Sequence, residues 1–172
     1  MATVTNVGHV NNAIRLAQRV GNIYIGIGGS VAWPNENKPP EEDTMTKEIP
    51  NLIGVKRAEV VSIARLIPDG ENFNGTHIEY GGKKYELVPQ SKAYEKQARF
   101  VYVSATIAPD ELPSDYYRVV GLLTNPTFKE GITGDVIPAE SIISQGNLEM
   151  YENRKPVDRT SLKINEQFII EA

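Results

Sequence analysis

The sequence predicts a mainly β protein: an antiparallel β-sandwich or small barrel with an N-terminal amphipathic helix. Three observations lead there. Six or seven short runs rich in Val, Ile, Tyr and Thr lie between about residues 55 and 170, separated by Gly, Pro, Asn and Asp turns. The pair Gly81-Gly82 stands between two such runs, where a two-residue hairpin turn needs positive φ angles. The first twenty residues instead space their apolar side chains at helical intervals. A chain of 172 residues fits one domain, read as a single β-rich domain over 1–172.

The helix is expected at about 6–20. Val7, Val10, Ala13, Ile14, Ala17 and Val20 recur every three or four positions, which makes one buried stripe. Asn6 serves as the expected N-cap and Gly21 as the C′ residue, with Arg15 and Arg19 near the negative end of the helix dipole. Asn22 to Ile27 then reads as a short strand ended by Gly28-Gly29. Residues 30–50 hold Pro34, Pro39, Pro40 and Pro50 together with Glu41-Glu42-Asp43, and Pro-Pro fits neither a helix interior nor a central strand. This segment is expected to be a proline-rich loop anchored by Trp33, with a short helix around 42–49. Further strands are expected at 55–67, at 77–80 with 83–88 as a hairpin, at 99–108, 116–124, 148–151 and 162–170.

Composition excludes several functions. There is no cysteine, hence no disulfide framework, thiol nucleophile or Cys-bearing metal site. His9 and His77 are the only histidines, too few for a multi-histidine centre. The net charge of −4 argues against a nucleic-acid binder that works through bulk positive charge. No apolar run approaches the roughly 18–20 residues of a membrane helix, and the first twenty residues lack a signal-peptide core. No cofactor is expected.

The chemistry-bearing patterns are weak. Gly26-Ile27-Gly28-Gly29-Ser30 follows a strand, yet no Gly-Lys-Ser/Thr follows and no helix opens, so it reads as a strand-ending turn. Three adjacent carboxylates at 41–43 are hard-cation ligand types, but they point in different directions and lack calcium-loop spacing, which favours a solvated charge run. Neither histidine has a neighbour suited to a proton relay. With no nucleophile–base pair, metal cluster or cofactor loop, a non-enzymatic binding or structural protein is the leading class.

Three stretches carry a resemblance. They are Tyr24-Ile25-Gly26 through Trp33-Pro34-Asn35-Glu36-Asn37-Lys38-Pro39-Pro40, Asp115-Tyr116-Tyr117-Arg118 through Asn125-Pro126, and Tyr151-Glu152-Asn153-Arg154-Lys155-Pro156-Val157-Asp158-Arg159-Thr160 followed by Glu166-Gln167-Phe168. In this order the chain resembles the baseplate wedge subunits of contractile-tailed bacteriophages, as a compact member, over roughly residues 11–170. The resemblance implies a virion structural protein of the tail baseplate, made in the host cytoplasm, that joins wedge subunits through protein–protein contacts. It implies homo- and hetero-oligomeric partners among baseplate or tail proteins and a pivot or release during sheath contraction. A neck or connector subunit of the same particle is the alternative on that footing. A carbohydrate-binding β-sandwich, with Trp33 and the eight tyrosines as stacking faces, is the alternative from another class.

Two residue sets are candidates. Trp33, Pro34, Pro39 and Pro40 form a rigid aromatic knob suited to an interface, or one that closes the core beneath it. Arg118, Asn153, Arg154, Arg159 and Glu166 can form a polar network: arginine forks grip carboxylates or carbonyls, Asn153 shapes a turn ahead of Pro156, and Glu166 pairs with Arg154 or Arg159. That network either holds the C-terminal hairpin in register or meets a partner.

Overall fold

The computed structural model describes residues 1–172 apart from the side chain of Val20. It is mainly β and antiparallel, with one N-terminal helix, as the sequence predicts. The chain packs as two compact units: residues 1–20, 60–104 and 167–172 form the first, and residues 21–59 and 105–166 the second.

In the first unit, helix α1 spans Asn6–Ala17. Its cap is Thr5, not Asn6: the Thr5 hydroxyl accepts the Gly8 N–H at 3.1 Å, three residues on, where an N-cap side chain reaches. The helix ends at Ala17 with Gln18 as C-cap, short of the expected residue 20, and a 3₁₀ turn follows at Val20–Asn22. Val10 and Ala13 of the stripe are buried, whereas Val7 is 58% exposed. The Val20 side chain, the last expected member, lies outside the described residues.

The strands number β1 Ile23–Gly28, β2 Gly54–Arg57, β3 Val60–Leu66, β4 Ile78–Tyr80, β5 Lys83–Leu87, β6 Phe100–Ile107, β7 Tyr116–Thr124, β8 Thr127–Phe128, β9 Val136–Pro138, β10 Ile142–Ser144, β11 Asn147–Asp158 and β12 Ile164–Glu171. One five-stranded sheet has the order β12-β6-β3-β5-β4, and α1 lies against β3. The β4–β5 turn is built as expected: Gly81 and Gly82 both have positive φ, 57° and 76°, and Tyr80 faces Lys83. Gln167 of β12 donates to the Glu79 carbonyl of β4 at 3.2 Å, so the two end strands meet and this sheet curls nearly closed. Ala64, Tyr85, Phe100, Tyr102 and Ile169 make its core.

The second unit holds a sheet of order β11-β7-β1-β2-β9 and a small β10-β8 ribbon. Its core is Tyr24, Ile49, Val55, Val119, Leu123 and Ile137. β1 is buried along its whole length, the pattern of a strand covered on both faces.

Three further expectations need correction. The run 55–67 is two strands, because Ala58 and Glu59 leave the ladder: the Ala58 N–H goes back to the Ile23 carbonyl at 2.9 Å, and the Glu59 carboxylate takes the Thr106 N–H. No helix forms at 42–49; a tight turn closes at Asp43, whose carboxylate accepts the Met45 N–H at 2.8 Å and whose carbonyl accepts the Thr46 N–H. The strand expected at 148–151 extends over all of β11, through Pro156. β11 is the edge of its sheet, where a residue without an N–H is tolerated, and its register with β7 shifts between Asn153 and Val157.

Candidate functional site: a strapped sheet edge

The proline-rich segment 30–50 is a strap laid along β11. Each tie joins a strap group to a group on β11, on β7 or just before β11. The Trp33 indole N–H donates to the Arg154 carbonyl at 2.8 Å. The Glu36 carboxylate takes both Nε and Nη2 of Arg118 at 2.7–3.0 Å, a fork-on-carboxylate geometry, while Arg118 Nη1 donates to the Gly29 carbonyl. Asn153 donates its side-chain N–H to the Pro40 carbonyl at 3.1 Å and its backbone N–H to the Glu42 carboxylate at 2.8 Å. The Tyr151 hydroxyl accepts the Asp43 N–H and lies 3.0 Å from the Thr46 hydroxyl. Gln145 and the Ile49 backbone exchange two hydrogen bonds, at 2.8 and 3.1 Å.

Apart from Glu36, whose partner Arg118 is on β7, strap numbers rise from 33 to 49 as partner numbers fall from 154 to 145, so the strap runs antiparallel to the strand it covers. It makes no ladder with β11. The Asn153 N–H, an edge donor that another strand would ordinarily take, is satisfied by a carboxylate instead.

Apolar contacts fix both ends. Trp33 is half-buried and packs on the core of the second unit. Ile49 is 2% exposed and sits in a notch made by two facing glycines, Gly26 of β1 and Gly121 of β7. A Cβ on either glycine would lie within 2.8 Å of Ile49 Cδ1, so the notch exists because both side chains are absent. Pro34 and Pro40 are exposed and Pro39 is half-buried. Val31 and Met45 project from the strap at 61% and 74% exposure.

The five candidate polar residues fall into separate groups. Arg154 and Glu166 meet at 2.7 Å, with the Glu166 side chain 3% exposed. The buried Tyr117 hydroxyl donates to the same carboxylate, and Arg154 also reaches Glu152 at 3.0 Å. Burial, and then the neighbouring Glu166 charge, push the Tyr117 phenol well above its ordinary pKa, so it stays a donor. Arg118 belongs to the strap through Glu36, and Asn153 likewise through Pro40 and Glu42 rather than through a turn ahead of Pro156. Arg159 does not reach Glu166. Its buried guanidinium instead donates to the carbonyls of Ala108, Glu111, Leu112, Pro113 and Ser114. That grip holds Leu112 and Ser114 at positive φ, 65° and 75°, and Glu111 is tied separately to Lys56 at 2.7 Å.

Sequence reasoning did not single out Glu36, Glu42, Tyr151, Gln145 or Ile49. Glu42 lies in the acidic run read as solvated, and only its place opposite Asn153 gives it work. Ile49 offered one signal, an isolated large aliphatic residue among polar neighbours. Among the described residues no group of three or more His, Asp or Glu side chains is arranged to hold a metal ion, and no helix is long and apolar enough to cross a membrane.

Residues 1–172 match the family described as "Baseplate wedge 3 tail fiber network component". The chain is 33% identical over 171 residues to "Virion protein 3" of Enterococcus phage phiEF24C, covering 99% of this chain and 94% of that protein.

Proposed function

The chain belongs to the baseplate wedge 3 tail fiber network component family, and from that membership we propose that it joins wedge subunits of the phage baseplate through protein–protein contacts. Its class is that of a structural virion protein. The observation that carries the reading is the family match over the whole chain, residues 1–172. Its partners are other baseplate or tail proteins and further copies of itself, and its work is mechanical: to hold neighbours before attachment and to pivot or release on contraction. Within this reading Trp33 is the loop anchor, and Pro34, Pro39 and Pro40 stiffen the strap around it.

The strap supports the reading physically. Exposed apolar side chains on a segment already fixed at both ends bind with little further loss of conformational freedom. Val31 and Met45 meet that description.

The test is the mass of the full chain in solution, alone and then with the baseplate proteins encoded beside it, by light scattering after size exclusion. A defined heteromeric species is expected, weakened at least about tenfold in Kd by Met45→Glu with an unchanged circular dichroism spectrum, the scale of one interface anchor. A chain that ignores each of those neighbours overturns the reading.

A further inference from the structure

β11 is twelve residues long and has a partner strand on one side only, β7. Edge strands of this length template pairing with other chains unless something blunts them. The strap does the blunting here with side chains and isolated carbonyls, not with a strand. Glu42 takes the Asn153 N–H, Pro40 supplies a carbonyl to the Asn153 side chain, and Tyr151 holds the turn at Asp43. The apolar seats of the strap lie to either side of this stretch, at Trp33 and Ile49. The strap can therefore lift from Trp33 onward, releasing the Arg154 carbonyl on the same edge, while the Ile49 end stays in place.

We propose that the strap from Trp33 to Thr46 is a removable cover, and that the β11 edge beneath it takes β11 of a second copy of this chain. The Asn153 N–H points outward, away from β7. An antiparallel two-fold pairing centred on Asn153 therefore forms a hydrogen-bonded pair there. That register sets Glu152 of each copy opposite Arg154 of the other, twice, where opposite charges across strands are favourable. Moving the centre to Glu152 would instead set Glu152 against itself. The closed strap and the second strand compete for one donor, so the contact is switched by strap opening. This inference takes contact between chains from the assembly reading. Its test uses the isolated chain alone, so its failure leaves joining to other baseplate proteins untouched.

The chain has no cysteine, which makes a single introduced thiol a clean reporter. Across a hydrogen-bonded antiparallel pair the Cα atoms lie about 5.5 Å apart, within disulfide reach. Asn153→Cys is prepared with Glu42 intact and with Glu42→Ala, and Ser161→Cys with Glu42→Ala is the control. The expected result is a disulfide dimer that forms at least about tenfold faster with Glu42→Ala, while the Ser161→Cys control stays monomeric. In Glu42→Ala alone, the Asn153 amide exchanges with solvent at least about tenfold faster at high dilution, the scale of losing a charge-assisted hydrogen bond, and the mass doubles as concentration rises. Equal crosslinking with and without Glu42, unchanged exchange at Asn153, or a doubled mass with no disulfide formed by the Asn153→Cys variant each overturns the proposal.

Discussion

Two loops of the second unit are held in opposite ways. The strap over 30–50 is fastened by many different side chains, each with a few bonds of its own: Trp33, Glu36, Asn153, Tyr151 and Gln145. The loop over 108–114 is gathered mainly by one buried guanidinium that donates to five carbonyls, with the Lys56–Glu111 pair as a second tie. A segment with distributed ties can open in part, because losing one bond leaves the rest. A segment gathered mainly at one point loses most of its ties together, because its carbonyls share a donor. The difference separates a part that can move from a part that sets shape.

The largest effect is expected where one residue serves many groups. Arg159→Ala leaves buried carbonyls without donors, and stability should fall by about 3 kcal/mol or more, read from urea denaturation. Arg159→Lys should recover less than half of that, because an ammonium has three donors against five acceptors and no planar fork. Full recovery by lysine would show that charge, not fork geometry, organises the loop. Next comes the seat of the strap. Ile49→Ala should cost about 2–4 kcal/mol, as removal of a buried aliphatic side chain does. Gly121→Ala should cost about 1–3 kcal/mol in the parent and measurably less in Ile49→Val, because its new methyl competes with Ile49 Cδ1 for the same space. Additive losses would separate the glycine notch from the strap.

The same contrast explains what could be read from sequence. The β4–β5 hairpin and β7 were legible because Gly81-Gly82 and Asn125-Pro126 punctuate them locally. The 55–67 run hid its break, since Ala58 and Glu59 interrupt no apolar pattern; only the hydrogen bonds to Ile23 and Thr106 divide it. β11 looked a third of its length because Pro156 counts against a strand unless the strand is known to lie at an edge. The Arg154–Glu166 pair was within reach, being twelve residues apart across a turn. Arg118 with Glu36 was not, at 82 residues apart. Nor was Arg159, whose partners are backbone carbonyls that carry no residue signature.

Smaller effects test the strap one tie at a time. Trp33→Phe keeps an aromatic ring and removes the N–H that the Arg154 carbonyl accepts. It should cost about 1 kcal/mol and leave the Ile49 seat unchanged in exchange protection. A loss as large as that of Ile49→Ala would mean that the ties are coupled and the strap opens as one piece.

The smallest effect is carried by pH. The Arg118 guanidinium, first through its hydrogen bonds, holds the Glu36 carboxyl below its ordinary value of 4.5, with the Trp33 backbone N–H adding to the shift. A carboxyl depressed in the folded state contributes stability that is fully present above its unfolded pKa and is lost as pH falls through its folded pKa. The parent should therefore lose this increment on acidification below about pH 4.5, while Glu36→Gln, which cannot ionise, has none to lose. The difference in Tm between parent and Glu36→Gln should be constant near neutrality and shrink as pH falls through that window. Because the pair lies near the surface, added salt should also narrow the difference at pH 7. A difference that persists unchanged to pH 2 would mean that Glu36 holds the strap by shape and neutral hydrogen bonding rather than by its charge.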